Sequence, residues 1–145
     1  MAIVFLLFFS SRSLMDWTSA RFVPETLGWQ SLGTVLTVAG VVVAIWSRFY
    51  IGRNWSATVT VKEGHELIRS GPYSVVRHPI YSGFLLALLG TAIYMGQVRG
   101  LVAVGLAMIV WKIKSLREES FMQSEFGEQY VQYRRHVKGL VPFIW

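Results

Sequence analysis

Two short polar patches hold the residues whose types and spacing could do chemistry. The first is Arg77-His78-Pro79-Ile80-Tyr81. Proline suits the first position of a helix, where a missing N–H costs nothing, and the residue before it is biased away from helical geometry. His78 should therefore stand at a helix entrance, beside free N–H groups and a positive dipole end that attract an anion. Alternatively, Arg77 and His78 anchor that helix at headgroup level. The second patch is Lys114 with Arg117, Glu118 and Glu119. Lys114 and Glu118 are four residues apart, so on a helix they share a face and can present a cation and a carboxylate together. By itself this patch also reads as a solvated helix end with ordinary ion pairs.

Other chemistries lack their residues. Cysteine is absent, which removes thiol nucleophiles, disulfides and cysteine metal sites. There is no G-x-S-x-G, no Walker A motif and no G-x-G-x-x-G, and His65-Glu66 lacks a second histidine four residues on. No metal is expected.

The elements that must position these patches are apolar. The chain has 145 residues, 53% hydrophobic and 15% charged, which suits one membrane domain better than a soluble one. The runs Leu27 to Trp46 and Pro79 to Val98 carry no charge, and Gly100 to Trp111 is uncharged but shorter. A helix needs ~20 apolar residues to cross a bilayer. We therefore expect an all-α integral membrane protein with membrane helices over 27–46, 79–98 and 99–117. Residues 1–26 should be an N-terminal apolar and interfacial segment, with Met1 to Phe9 too short to span alone. Residues 118–145 should form a cytoplasmic C-terminal segment. Its spacing of Phe121, Met122, Phe126, Tyr130, Tyr133 and Val137 predicts an amphipathic helix interrupted at Gly127, either interfacial or a lid over a cofactor.

Orientation follows from lysine and arginine. Arg48, Arg53, Lys62, Arg69 and Arg77 precede the second run, and Lys112, Lys114, Arg117, Arg134, Arg135 and Lys138 follow the third. The opposite side has Arg12, Arg21 and Arg99. Both polar patches and the C-terminus should face the cytoplasm, with Met95 to Gly100 as the outer turn of a hairpin. The net charge of +6 then points to anionic lipid as partner, not nucleic acid. The Thr58-Val59-Thr60-Val61 stretch is β-prone. Gly33, Gly40, Gly83, Gly90 and Gly105 would permit close helix packing, and the lateral surface leaves room for homo-oligomers.

Taken together, His65-Glu66-Leu67-Ile68, Ser70-Gly71-Pro72-Tyr73, Arg77-His78-Pro79-Ile80-Tyr81-Ser82-Gly83, Glu118-Glu119 and the run Phe126 to Arg135 through Pro142-Phe143 resemble the isoprenylcysteine carboxyl methyltransferase family. The chain is similar to its short prokaryotic members and, more distantly, to phospholipid N-methyltransferases. The resemblance covers roughly Asn54 to the C-terminus. It implies an integral enzyme of a prokaryotic inner membrane that uses S-adenosylmethionine and a lipophilic, membrane-embedded acceptor. It places His65, Glu66, Leu67, Ile68 and Tyr73 at the adenosine end of the cofactor. Arg77, His78, Pro79, Ile80 and Tyr81 flank its methionine part, and Glu118, with Glu119 beside it, matches the family's cofactor-binding glutamate. One position departs from the family: the arginine that holds a prenylcysteine carboxylate aligns with Lys114. The competing readings are a membrane reductase of the sterol-reductase type using a nicotinamide cofactor, and a small non-enzymatic membrane protein.

Overall fold

The computed structural model describes residues 19–52 and 66–141. His65, the β-prone stretch at 58–61 and residues 1–9 lie outside them. Among the described residues the regular structure is helical: α1 (Leu27–Ile51), a 3-10 turn (Gly71–Ser74), α2 (Pro79–Met95), α3 (Val98–Phe126) and α4 (Glu128–His136). They fall into two compact units, one of residues 1–42 and 83–110, the other of residues 43–82 and 111–145.

The helix bounds differ from those expected. α1 continues through Arg48 to Ile51, a basic last turn that suits the negative end of a helix dipole. α2 stops at Met95 because Gly96 takes a positive φ of 66°, which glycine adopts without strain. α3 begins at Val98 and runs 29 residues, carrying Glu118 and Glu119 inside a helix, not at the start of a separate C-terminal segment. No breaker follows Glu119 until Gly127, where φ is 52° and α3 gives way to α4 at the interruption the sequence predicted. Among the described residues, α1 alone is long and apolar enough to cross a membrane by length and composition. α2 is apolar but has 17 residues.

In the first unit, α1 and α2 meet along a seam of small residues. A Cβ at Gly33 would stand 2.6 Å from the Gly90 carbonyl oxygen, and one at Gly40 would stand 2.4 Å from the Ala87 nitrogen. Thr37 lies between these glycines. Its hydroxyl donates to the Gly33 carbonyl at 2.9 Å and reaches the Ala87 carbonyl at 3.3 Å. Gly105, by contrast, faces open space. The atoms opposing Gly40 are backbone and cannot rotate away. Gly40→Val is therefore expected to destabilise by more than the ~1–3 kcal/mol usual for overpacking, read as a lower melting temperature in detergent, whereas Gly105→Ala should leave it unchanged or slightly raised.

The hairpin turn is tighter than the Met95–Gly100 span expected. It is pinned by residues 20–22: Phe22 donates to Gly96 and Val98 donates to Ala20, both at 2.9 Å.

The second unit is held by tyrosines and a short parallel pairing. Tyr50 donates to Ser70 at 2.9 Å, the buried Tyr73 hydroxyl to the Ser47 carbonyl at 3.4 Å, and Tyr133 to the Tyr73 carbonyl at 2.5 Å. Val76 bridges Lys138, Arg77 N–H donates to the Lys138 carbonyl at 2.8 Å and His78 N–H to the Gly139 carbonyl at 3.1 Å. Ser82 adds a bond to the Leu140 carbonyl at 2.5 Å. The chain leading into α2 is thus fixed from both ends of this unit's sequence.

Candidate active site

The second unit brings the two polar patches of the sequence together. Pro79, fully buried, opens α2 as expected, with His78 just outside the helix and Tyr81 in its first turn. On α3, Trp111, Ser115 and Glu119 recur every fourth residue and are buried, while Lys114 and Glu118 lie on an adjoining stripe. α4 adds Arg134.

Glu119 is the hub. Its side chain is 5% exposed. Arg77 donates to its Oε1 from Nη2 at 2.6 Å and from Nε at 3.1 Å, His78 Nε2 stands 3.1 Å from the same oxygen, and Arg134 Nε lies 3.5 Å from Oε2. Arg77 Nη1 turns to the carbonyls of Arg134 and Val137. All three guanidinium nitrogens are therefore engaged inside the protein. The sequence placed Arg77 and Glu119 at the cofactor; the geometry makes them a clasp that, within the second unit, ties the chain entering α2 to the later part of α3 and to the segment after α4.

Glu118 is different. Its side chain is 26% exposed. Tyr81 donates to Oε1 at 2.5 Å, His78 Nδ1 stands 3.5 Å from Oε2, and Lys114 Nζ lies 3.9 Å from Oε1, the helical pairing the spacing predicted. The His78, Tyr81 and Trp111 rings are near-parallel, with centroids 5.7 and 6.2 Å apart. Offset stacking of this kind fixes the plane of the Tyr81 ring and so the direction of its hydroxyl.

The two nitrogens of His78 face different carboxylates. A neutral imidazole has one donor; an imidazolium has two and satisfies both. Burial, the largest single influence, opposes charging of His78. The bonds to Glu118 and Glu119, with their negative charge, outweigh it and raise its pKa above the ordinary value. Burial likewise opposes the charge on Glu119, but His78 and Arg77 hold its pKa down at about 2. Glu118 is shifted the same way, its burial overcome by His78, Tyr81 and Lys114.

Of the remaining expected site residues, all but Ile80 lie before α2. Glu66 is exposed and Leu67 and Ile68 are half-buried in an irregular stretch. Tyr73 is buried and braced as described, and Ile80 is half-buried in the first turn of α2. Arg134, Trp111 and Tyr133 are additions. The i, i+4, i+8 spacing of Trp111, Ser115 and Glu119 signals a shared buried face. Nothing local to Arg134 signals its pairing with Glu119.

The family profile of the phospholipid methyltransferases matches residues 29–129, well over half of the chain. The chain belongs to that family. The chain is 32% identical over 118 residues to protein-S-isoprenylcysteine O-methyltransferase B of Arabidopsis thaliana, covering 78% of this chain and 55% of that protein. It is 30% identical over 148 residues to a probable protein-S-isoprenylcysteine O-methyltransferase of Oryza sativa subsp. indica, covering 97% of this chain and 76% of that protein. The isoprenylcysteine methyltransferase resemblance read from the motifs is thus confirmed. A solved eukaryotic intramembrane Ras methyltransferase, an isoprenylcysteine carboxyl methyltransferase, shares the fold with a TM-score of 0.74 at 24% identity, covering 98% of this chain and 48% of that one. The chain thus spans about half the length of this structure and of the Arabidopsis relative. The family match, over residues 29–129, takes in most of α1 and both polar patches and ends before Tyr130.

Proposed function

We propose that this chain transfers a methyl group from S-adenosylmethionine to the carboxylate of a lipophilic acceptor of the prenylcysteine kind, drawn from the bilayer. The observation that carries the reading is Glu118. It is a partly exposed carboxylate on α3, kept ionised by His78, Tyr81 and Lys114, beside the entrance of α2. The residues suit the cofactor. The free N–H groups of the first turn of α2 favour its methionine carboxylate, and Glu118 accepts from its ammonium or ribose hydroxyls. Glu66, Leu67, Ile68 and Tyr73 precede that turn, with His65 outside the described residues; we assign them the adenosine end. Arg77 and Glu119 shape the site without touching ligand.

The cofactor supplies an electrophilic sulfonium methyl group. A carboxylate acceptor arrives deprotonated, so no residue need act as general base. The work of the chain is to orient the two reactants and exclude water. Lys114 offers the acceptor a point charge where the family pattern has an arginine.

For the membrane, the reading takes α2 and the apolar half of α3 as embedded beside α1. It is supported by exposed Phe84, Leu89 and Tyr94 on α2 and exposed Leu101, Leu106, Ile109 and Val110 on α3. The site and C-terminus then face the cytoplasm of a prokaryotic inner membrane, as the lysine and arginine bias indicates.

The test is calorimetric binding of S-adenosylhomocysteine to detergent-purified protein. A charge-assisted hydrogen bond contributes about 1.5–3 kcal/mol, so Glu118→Ala is expected to weaken binding by ~10- to 100-fold. No binding by folded wild-type protein would overturn the reading.

A further inference from the structure

Lys114 is held unlike Arg77. Arg77 is buried in close hydrogen bonds, whereas the Lys114 side chain is 50% exposed. Its ammonium stands 3.9 Å from Glu118 Oε1 and 5.3 Å from the centroid of the Tyr81 ring. Both are attractions of charge at a distance, without the geometry of a close hydrogen bond. Glu118 Oε1 has two lone pairs and already takes the Tyr81 hydroxyl at 2.5 Å. An incoming donor at that oxygen must therefore contend with Lys114.

The surroundings give the ammonium a second place to go. Val110 and Ile113, within one turn of Lys114 on α3, are exposed and apolar. An amphiphile whose chain covers that surface brings its polar head to the lysine. The balance of charge favours an anionic head. With His78 protonated, four cations, Arg77, His78, Arg134 and Lys114, are paired with two carboxylates, Glu118 and Glu119, among the described residues. Lys114 and Arg134 are the exposed members of that surplus, and Arg134 points at Glu119.

We propose that Lys114 exchanges between Glu118 and the anionic head of the acceptor, so that cofactor and acceptor bind cooperatively. This rests on the methyltransferase reading above. A cofactor hydroxyl or ammonium that takes Glu118 releases the lysine, which then pairs with the acceptor carboxylate. In the transfer, a carboxylate oxygen bonds to the methyl carbon, the sulfur–carbon bond breaks and its electron pair stays on sulfur. The acceptor becomes a neutral ester. Lys114 loses its partner and returns to Glu118, which loosens both products. A lysine suits such exchange better than an arginine, since a point charge on a flexible stem breaks no bidentate fork when it moves.

Calorimetric titration of S-adenosylhomocysteine tests this without turnover, using N-acetyl-S-farnesylcysteine and its neutral methyl ester as acceptor probes. In wild-type protein the free acid is expected to tighten cofactor-product binding about 5-fold or more, the lower end of coupling between sites, and the ester to leave it unchanged. Lys114→Met should bind S-adenosylhomocysteine more tightly alone and lose the response to the acid. Lys114→Arg should retain the response. Equal coupling by acid and ester, or full coupling in Lys114→Met, would overturn the exchange while leaving the methyltransferase reading intact. Absence of S-adenosylhomocysteine binding in wild-type protein would remove both.

Discussion

Replacing Glu119 by alanine is expected to destabilise the protein by ~3–5 kcal/mol, the cost of leaving buried cations without their partner. The carboxylate is 5% exposed and compensates Arg77, itself 9% exposed, and His78 at once. Its removal strands both. The loss should show as a large drop in the melting temperature of detergent-solubilised protein. It should also be directional. Arg77 holds the Arg134 and Val137 carbonyls, so its release loosens the segment that pairs with residues 76–78. Trypsin should then cut at Lys138 in Glu119→Ala well before it does in wild type. Pairing Glu119→Leu with Arg77→Leu should restore part of the stability, because the penalty lies in the unpaired charge rather than in a lost contact. A single variant that melts like wild type would show that the clasp carries no weight. Glu118→Ala, at a partly exposed carboxylate, should cost far less stability and far more ligand affinity. The two adjacent glutamates therefore separate by measurement into a scaffold residue and a binding residue.

That division was not legible in the sequence. Spacing separates the faces of the two carboxylates, Glu118 with Lys114 and Glu119 with Trp111 and Ser115, because helix geometry turns them about 100° apart, but it does not name the partners across the fold that divide their roles. One faces Arg77 and Arg134, the other the Tyr81 hydroxyl. What was legible rested on local rules. Pro79 marked the start of α2, Gly127 the break before α4, and the Lys114–Glu118 spacing a shared face. The small-residue seam could be guessed from Gly33, Gly40, Gly83 and Gly90, but not the exclusion of Gly105, since an isolated glycine does not say which way it points. Helix ends were missed where the signal was not hydrophobicity. α3 runs on to Phe126 because nothing stops it, although its apolar character fades at Lys112. Arg134 could not be found at all, because its partner is fixed by the fold and stands fifteen residues away across the break at Gly127.

The same network sets an expected pH profile of stability, flat between about pH 4.5 and 6.5 and falling on both sides. On the acid side, the pKa of Glu119 is lowered to about 2 from an unfolded value near 4.5. Its contribution is fully present above the unfolded value and is lost as pH falls through the folded one. Glu118 is shifted in the same direction and adds to that limb. On the alkaline side the sign reverses. The pKa of His78 is raised above 6.5 by its two carboxylates, against the cost of burial. Its contribution is fully present below 6.5 and is lost as pH rises through the folded value. Over that interval the loss approaches ~1.4 kcal/mol per pH unit for the single proton released. The alkaline limb is assigned to His78, whose pKa the two carboxylates raise. Thermal melting at closely spaced pH values checks it. Wild type should lose stability steadily above pH 6.5. His78→Gln should be less stable on the plateau, nearly flat up to pH 9, and unchanged in the shape of its acid limb. A wild-type profile flat to pH 9 would mean that His78 is neutral between its two carboxylates. The proton that joins Glu118 to Glu119, and with it the link between scaffold and binding carboxylate, would then be absent.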